Sequence, residues 1–144
     1  MFLVTRRYQF AASHRLHASG LSDEANRRVY GKCNNPFGHG HNYVVEVTAR
    51  GPADSATGSA VDPRLLDELV AREVLQPFEH RNLSRDVEAF RDVTPTSENL
   101  AVEICRRLKR GWPTVFPGEW PQLEKVRIAE TARNIFEMDA HEIE

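Results

Sequence analysis

The stretch His39-Gly40-His41-Asn42-Tyr43-Val44-Val45-Glu46-Val47-Thr48 alternates in character from one residue to the next. Its odd positions, His39, His41, Tyr43, Val45 and Val47, form a largely apolar set against Gly40, Asn42, Val44, Glu46 and Thr48. A period of two is the mark of a half-buried strand, so two imidazoles are predicted on the core-facing side of one strand. Working outward, Val4 to Leu16 repeats the pattern. Val4, Arg6, Tyr8, Phe10, Ala12, His14 and Leu16 make the inner set, which puts His14 on an inward face as well.

Between the two strands, residues 17–38 are rich in Ser, Asn, Gly and charge. That is too long for mere linkage in a compact domain and reads as a functional loop. After a turn over Gly51 to Gly58, Asp62-Pro63 supplies an N-cap and a first-turn proline. Leu65, Leu66, Leu69, Val70 and Val74 then recur at helical spacing as far as Gln76-Pro77. A second helix is predicted from Thr94-Pro95-Thr96, with Leu100, Ala101, Ile104, Cys105 and Leu108 on one face and its end at Gly111. Trp112 to Pro121 reads as a loop with three prolines. Leu123–Glu130 and Asn134–Met138 read as a terminal hairpin around Thr131-Ala132-Arg133. The order strand, loop, strand, helix, helix, strand, strand predicts an α+β fold, a four-stranded antiparallel sheet with two helices on one face. Its open edges favour self-association into a barrel.

At 144 residues the chain fits one domain, 1–144, with a core of its own. Nineteen basic against 21 acidic residues give no electrostatic footprint for nucleic acid or an anionic membrane. The two cysteines, Cys33 and Cys105, lie in unlike contexts, which argues against a disulfide framework and for a reducing, cytoplasmic setting. The apolar run at the amino terminus is too short for a signal-peptide core, and no segment reaches membrane-spanning length.

Three inward histidines on strands expected to pair point to a shared ligand, because burying imidazoles without partners is costly. Imidazole suits zinc, and a three-histidine set leaves a position open for chemistry. Satisfied core histidines are the plain alternative, and Cys33 closing a structural tetrahedron is another. His39-x-His41-x4-Glu46 also resembles the first cupin metal motif, but a regular strand turns Glu46 to the opposite face. Cys33, next to Lys32 in a polar loop, is a candidate base or nucleophile, whereas Cys105 on a helix face is a core residue. Glu79-His80, just past the first helix, is either a surface pair or aimed at a pocket. Glu130 shares the strand phase of Val126 and Ile128. A carboxylate there needs a partner, either an internal cation or a flat two-donor ligand such as an aminopyrimidine.

Phe10-Ala11-Ala12-Ser13-His14-Arg15-Leu16, Gly31-Lys32-Cys33-Asn34-Asn35-Pro36-Phe37-Gly38-His39-Gly40-His41-Asn42-Tyr43, Glu79-His80-Arg81-Asn82-Leu83, Pro95-Thr96-Ser97-Glu98-Asn99 and Glu130-Thr131 together resemble the 6-pyruvoyltetrahydropterin synthase family, in order and over nearly the whole chain. The resemblance implies the tunnelling fold (T-fold), with subunits joined as trimers and hexamers and active sites between them. It implies a lyase of tetrahydrobiopterin biosynthesis that converts 7,8-dihydroneopterin triphosphate to 6-pyruvoyltetrahydropterin with loss of triphosphate. By that likeness His14, His39 and His41 hold Zn2+, Cys33 is the proton-transfer base, His80 relays protons with Glu79 orienting it, and Glu130 anchors the pterin with Thr96 and Ser97 and takes part in the proton relay. Arg15 and Lys32 are candidates for the triphosphate. The family pattern has Asp where this chain has Glu79, and a second threonine where it has Ser97. The nearest rival is the 6-carboxytetrahydropterin synthase of queuosine biosynthesis, whose usual motif places three residues between the cysteine and His-Gly-His, against five here. A non-catalytic zinc- or pterin-binding subunit is the third reading.

Overall fold

The computed structural model describes residues 1–143. Strands β1 (Phe2–His14), β2 (His39–Gly51), β3 (Gln122–Ala129) and β4 (Ile135–Asp139) form one antiparallel sheet in the order β1-β2-β3-β4. Both long strands follow the alternation of the sequence: Phe10, Ala12 and His14 are buried on β1, as are Tyr43, Val45, Val47 and Ala49 on β2. The register pairs His14 with His39 and Ala12 with His41, so the three histidines lie at one end of the β1–β2 ladder, with the ring of His41 against those of the other two. A bulge opposite Thr48/Ala49 changes the phase of β3. Leu123 therefore faces the core along with Val126 and Ile128, although an unbroken alternation would turn it outward.

Helix α1 (Asp23–Tyr30) lies in the β1–β2 connection, α2 (Pro63–Val70) follows the sheet's first hairpin, and α3 (Ser97–Val115) precedes β3. Asp62 caps α2 as its sequence signal requires, accepting from the backbone N–H of Arg64. The chain continues from α2 through a π-helical turn (Ala71–Leu75) and a last turn (Gln76–Phe78). Leu100, Ala101, Ile104, Cys105, Leu108 and Trp112 are buried along α3, which packs on β3, β4 and the α2 segment. Arg6, oddly placed on an inner strand face, is explained by Asp67 of α2. The carboxylate accepts from Arg6 Nε at 2.7 Å and Nη2 at 2.9 Å, and from the Tyr8 hydroxyl at 2.7 Å.

Two expectations need correction. Residues 17–38 are not an irregular loop, because they contain α1 and a 3-10 turn (Gly31–Asn34). Helix α1 buries only Asn26, so it has no apolar stripe to reveal it. Its signals lie at its ends: Ser22, whose side chain accepts from the N–H of Ala25, ahead of the acidic Asp23 and Glu24, and Gly31, which closes it at φ 55° behind the basic Arg27 and Arg28. Helix α3 also does not end at Gly111 but runs through Pro113 to Val115. Gly111 is where α3 comes close to the α2 segment: a methyl there would lie 2.9 Å from Leu69 Cδ1 and 3.1 Å from Glu73 Oε1. It is a packing glycine and not a helix stop.

Candidate metal and pterin site

His14 is wholly buried at the end of β1. Its Nδ1 lies 3.1 Å from the carbonyl oxygen of Pro95 and 3.1 Å from the hydroxyl of Tyr43, while its Nε2 faces the Nε2 of His41 at 3.1 Å. Burial, with His41 adding to it, pushes His14 down to about 4, so the ring is neutral near pH 7, as a metal ligand must be. Burial also lowers His41, against the opposing pull of the Glu130 carboxylate. The ring of His39 stands against that of His41 with centroids 4.6 Å apart.

Cys33 sits in the 3-10 turn that follows α1, and this turn is laced to the end of β1. The N–H of Leu16 donates to Cys33 O at 2.7 Å, Arg15 Nε donates to Asn34 O at 3.1 Å, and the amide of buried Asn34 donates to Leu16 O at 2.7 Å. Gly38 closes the loop at φ 85°, and a Cβ at that position would lie 3.4 Å from the carbonyl oxygen of His14. These contacts bring the thiol into the histidine cluster. One ligand atom each from His14, Cys33, His41 and Glu130 lies within 4.8 Å of all the others. Burial pushes the Cys33 thiol up and the Glu130 carboxylate pushes it further, while Lys32 opposes them less strongly. The charge of Lys32 is outweighed there, and a cation of higher charge beside the thiol would favour the thiolate.

Glu130 follows β3 and points into the same space. One carboxylate oxygen lies 3.0 Å from His41 Nε2, and the other accepts a hydrogen bond from the hydroxyl of buried Ser97 at the start of α3. The adjacent Thr96 is the N-cap of α3, its side chain accepting from the N–H of Asn99. Both hydroxyls thus have partners inside the protein.

Glu79 and His80 lie on the other side of β1. The N–H of His80 donates to Ala11 O at 2.7 Å, and Glu79 accepts from the Ala11 N–H at 3.1 Å while its other oxygen lies 3.2 Å from His80 Nε2. His80 has φ 59°, an uncommon conformation for a residue with a side chain. It shares a cavity of about 360 Å³ with Ala12, Ser13, Gly40 and His41, which Cys33 does not line. Among the described residues, Glu79 therefore stands beside His80, and His14, Cys33, His41 and Glu130 group together; His39 adjoins His41 without contributing an atom to that group, and His80 lines its cavity apart from Cys33. Sequence reading passed over Tyr43 and Pro95. Tyr43 carried a usable signal, because it shares the strand phase of His41 and hence the same face.

The donor set fits a metal of the zinc class. Two nitrogens each bound to one tetrahedral zinc at about 2.0–2.1 Å lie about 3.3 Å apart, close to the 3.1 Å between His14 and His41 Nε2. Residues 3–141 match the family model for 6-pyruvoyl tetrahydropterin synthase. The chain belongs to that family. It is 46% identical over 132 residues to the 6-pyruvoyl tetrahydrobiopterin synthase of Homo sapiens, covering 92% of this chain and 87% of that protein. The 6-carboxy-5,6,7,8-tetrahydropterin synthase of Rickettsia bellii is 24% identical over 146 residues, covering 91% of this chain and 95% of that protein. Among solved structures, the 6-pyruvoyl tetrahydropterin synthase of Caenorhabditis elegans superposes with a TM-score of 0.85 at 41% identity, covering 96% of this chain and 94% of that one. The Plasmodium vivax enzyme, at 16% identity and a TM-score of 0.61, shares the fold, with 96% and 98% of the two chains covered. The four-stranded sheet with its helices is thus the family's T-fold unit, and the chain is an enzyme of the 6-pyruvoyl tetrahydropterin synthase type.

Proposed function

We propose that this protein is a zinc-dependent lyase that converts 7,8-dihydroneopterin triphosphate to 6-pyruvoyltetrahydropterin and triphosphate. The observation that carries this reading is the convergence of His14, His41, Cys33 and Glu130 at one end of the β1–β2 ladder, in a chain of this family. His14, His39 and His41 are the proposed ligands. The first and last already face each other through Nε2, and His39 lies across the ladder from His14 with its ring beside His41. A zinc ion held there would supply Lewis-acid polarisation of the substrate side chain, which acidifies the neighbouring C–H.

Cys33 takes a proton from that side chain and returns it at the adjacent carbon. The substrate carries its own oxidising and reducing carbons, so the net change is loss of triphosphate and no external reductant is required. Glu130 anchors the pterin: its two oxygens match the paired N–H donors of an aminopyrimidine edge. His80, oriented by Glu79, is the proposed proton relay. Because one subunit leaves it apart from Cys33, this role fits a homotrimer or homohexamer in which a neighbouring copy presents His80 to the thiol. Glu79 accepts from the Ala11 N–H and keeps its other oxygen 3.2 Å from His80 Nε2, so the carboxylate, one methylene longer than the family's Asp, still stands beside the imidazole.

The test is to incubate zinc-loaded protein with 7,8-dihydroneopterin triphosphate and identify the pterin by mass spectrometry. The pyruvoyl product with free triphosphate is expected. A carboxy product with acetaldehyde places the chain with the queuosine-pathway enzymes. Absence of turnover leaves the pterin- or zinc-binding subunit as the reading to pursue.

A further inference from the structure

His14 and Tyr43 are both wholly buried, and among the described residues Nδ1 of His14 is the one hydrogen-bond partner of the Tyr43 hydroxyl. Two oxygens therefore compete for that nitrogen, Tyr43 Oη and Pro95 O, each at 3.1 Å. They ask opposite things of it. A backbone carbonyl only accepts, so Pro95 is satisfied when the imidazole proton sits on Nδ1, which leaves Nε2 with a free lone pair. A hydroxyl that donates to Nδ1 requires the proton to sit on Nε2 instead. That second tautomer is also satisfied on its other side, because its Nε2–H faces His41 Nε2, 3.1 Å away.

Only the first tautomer can bind a metal through Nε2. In it the Tyr43 oxygen can share the Nδ1–H with Pro95, but its own O–H is left without an acceptor in a dry core, and an unpaired buried donor is costly. Packing on Phe10, with ring centroids 5.1 Å apart, holds the Tyr43 ring in place. We propose that Tyr43 is a positioning residue that works against the metal: its hydroxyl favours the tautomer of His14 that cannot ligate, and so keeps zinc exchangeable at a centre where the Pro95 carbonyl favours the ligating one. The inference rests on the reading of His14 as a zinc ligand. It runs opposite to the usual case, in which the groups behind a ligand strengthen its hold on the metal.

Nitrogen NMR of protein with isotope-labelled histidines reports which ring nitrogen carries the proton, and His14→Asn assigns the His14 signals. Wild type, Tyr43→Phe and Tyr8→Phe are compared at one fixed pH near neutrality, metal-free and zinc-loaded, with zinc affinity measured by chelator competition. In the metal-free wild type the His14 proton is expected on Nε2, and zinc should move it to Nδ1. Tyr43→Phe should keep it on Nδ1 in both forms and bind zinc about tenfold more tightly, because the hydroxyl that favoured the other tautomer is gone. Tyr8→Phe, which removes a phenol that serves Asp67, should leave zinc affinity unchanged. A metal-free wild-type proton on Nδ1, or unchanged or weaker zinc binding by Tyr43→Phe, would overturn the proposal, and the wild-type spectra decide alone where the variant does not fold. Wild-type His14 signals that do not respond to zinc remove the ligand reading itself and this inference with it.

Discussion

At the residue scale, Cys33 and His14 carry the sharpest expectations. Cys33→Ala should keep zinc, fold and assembly while turnover falls about 10²- to 10⁴-fold, the usual contribution of a positioned base. Metal analysis and single-turnover assays check this together, and zinc lost in proportion to activity would make Cys33 a ligand. His14 sets a pH dependence in the chelated protein. Its pKa is about 4 in the fold against about 6.5 when unfolded. Between those values the unfolded chain binds the extra proton, so stability falls as pH drops through the window, by up to about 3 kcal/mol, and is flat in this respect above it. Urea midpoints of chelated wild type at pH 7 and pH 4.5 should therefore differ by more than those of His14→Asn. A slope that persists unchanged in the variant would show that another group is responsible.

At the element scale, the N-cap signals and apolar stripes of α2 and α3 were legible because both helices bury an i, i+3, i+4 face. Helix α1 was not legible, since its single buried side chain is Asn26. That amide is fully occupied by Ala18, Leu21 and Ser22, a polar arrangement without hydrophobic periodicity. Gly111 shows how packing overrides a local signal. Gly111→Ala would gain about 1 kcal/mol of helix propensity, but its methyl would press on Leu69 and Glu73. A net loss of about 1 kcal/mol is expected. A raised denaturation midpoint in Gly111→Ala would mean that α2 yields and the contact is loose.

At the scale of the whole molecule, the sheet ends in β1 and β4, residues 79–82 cover the outer edge of β1 only near Ala11 and Ser13, and at its other end Met1, Phe2 and Leu3 are exposed apolar residues. Such an edge favours pairing with another copy. Light scattering is expected to give three or six chains per particle. The double change Phe2→Glu, Leu3→Glu should shift the protein towards monomer and lower its turnover, because His80 and Cys33 are not joined within one subunit. A monomer with full activity would show that one chain brings them together by itself.

The sequence alone determined the strand pair that carries His14, His39 and His41, because alternation and register follow from a two-residue period that one-sided burial enforces. It also marked Cys33, His80 and Glu130 as chemical groups, since thiol, imidazole and an inward carboxylate stand out by type and phase. Only the tertiary structure decided which of them meet. The polar lacing of Asn34 and Arg15 brings Cys33 to the histidines. The start of α3 places Pro95 against His14 and Ser97 against Glu130. Contacts between residues up to 81 positions apart are set by how helices pack on the sheet, and no local period encodes that distance.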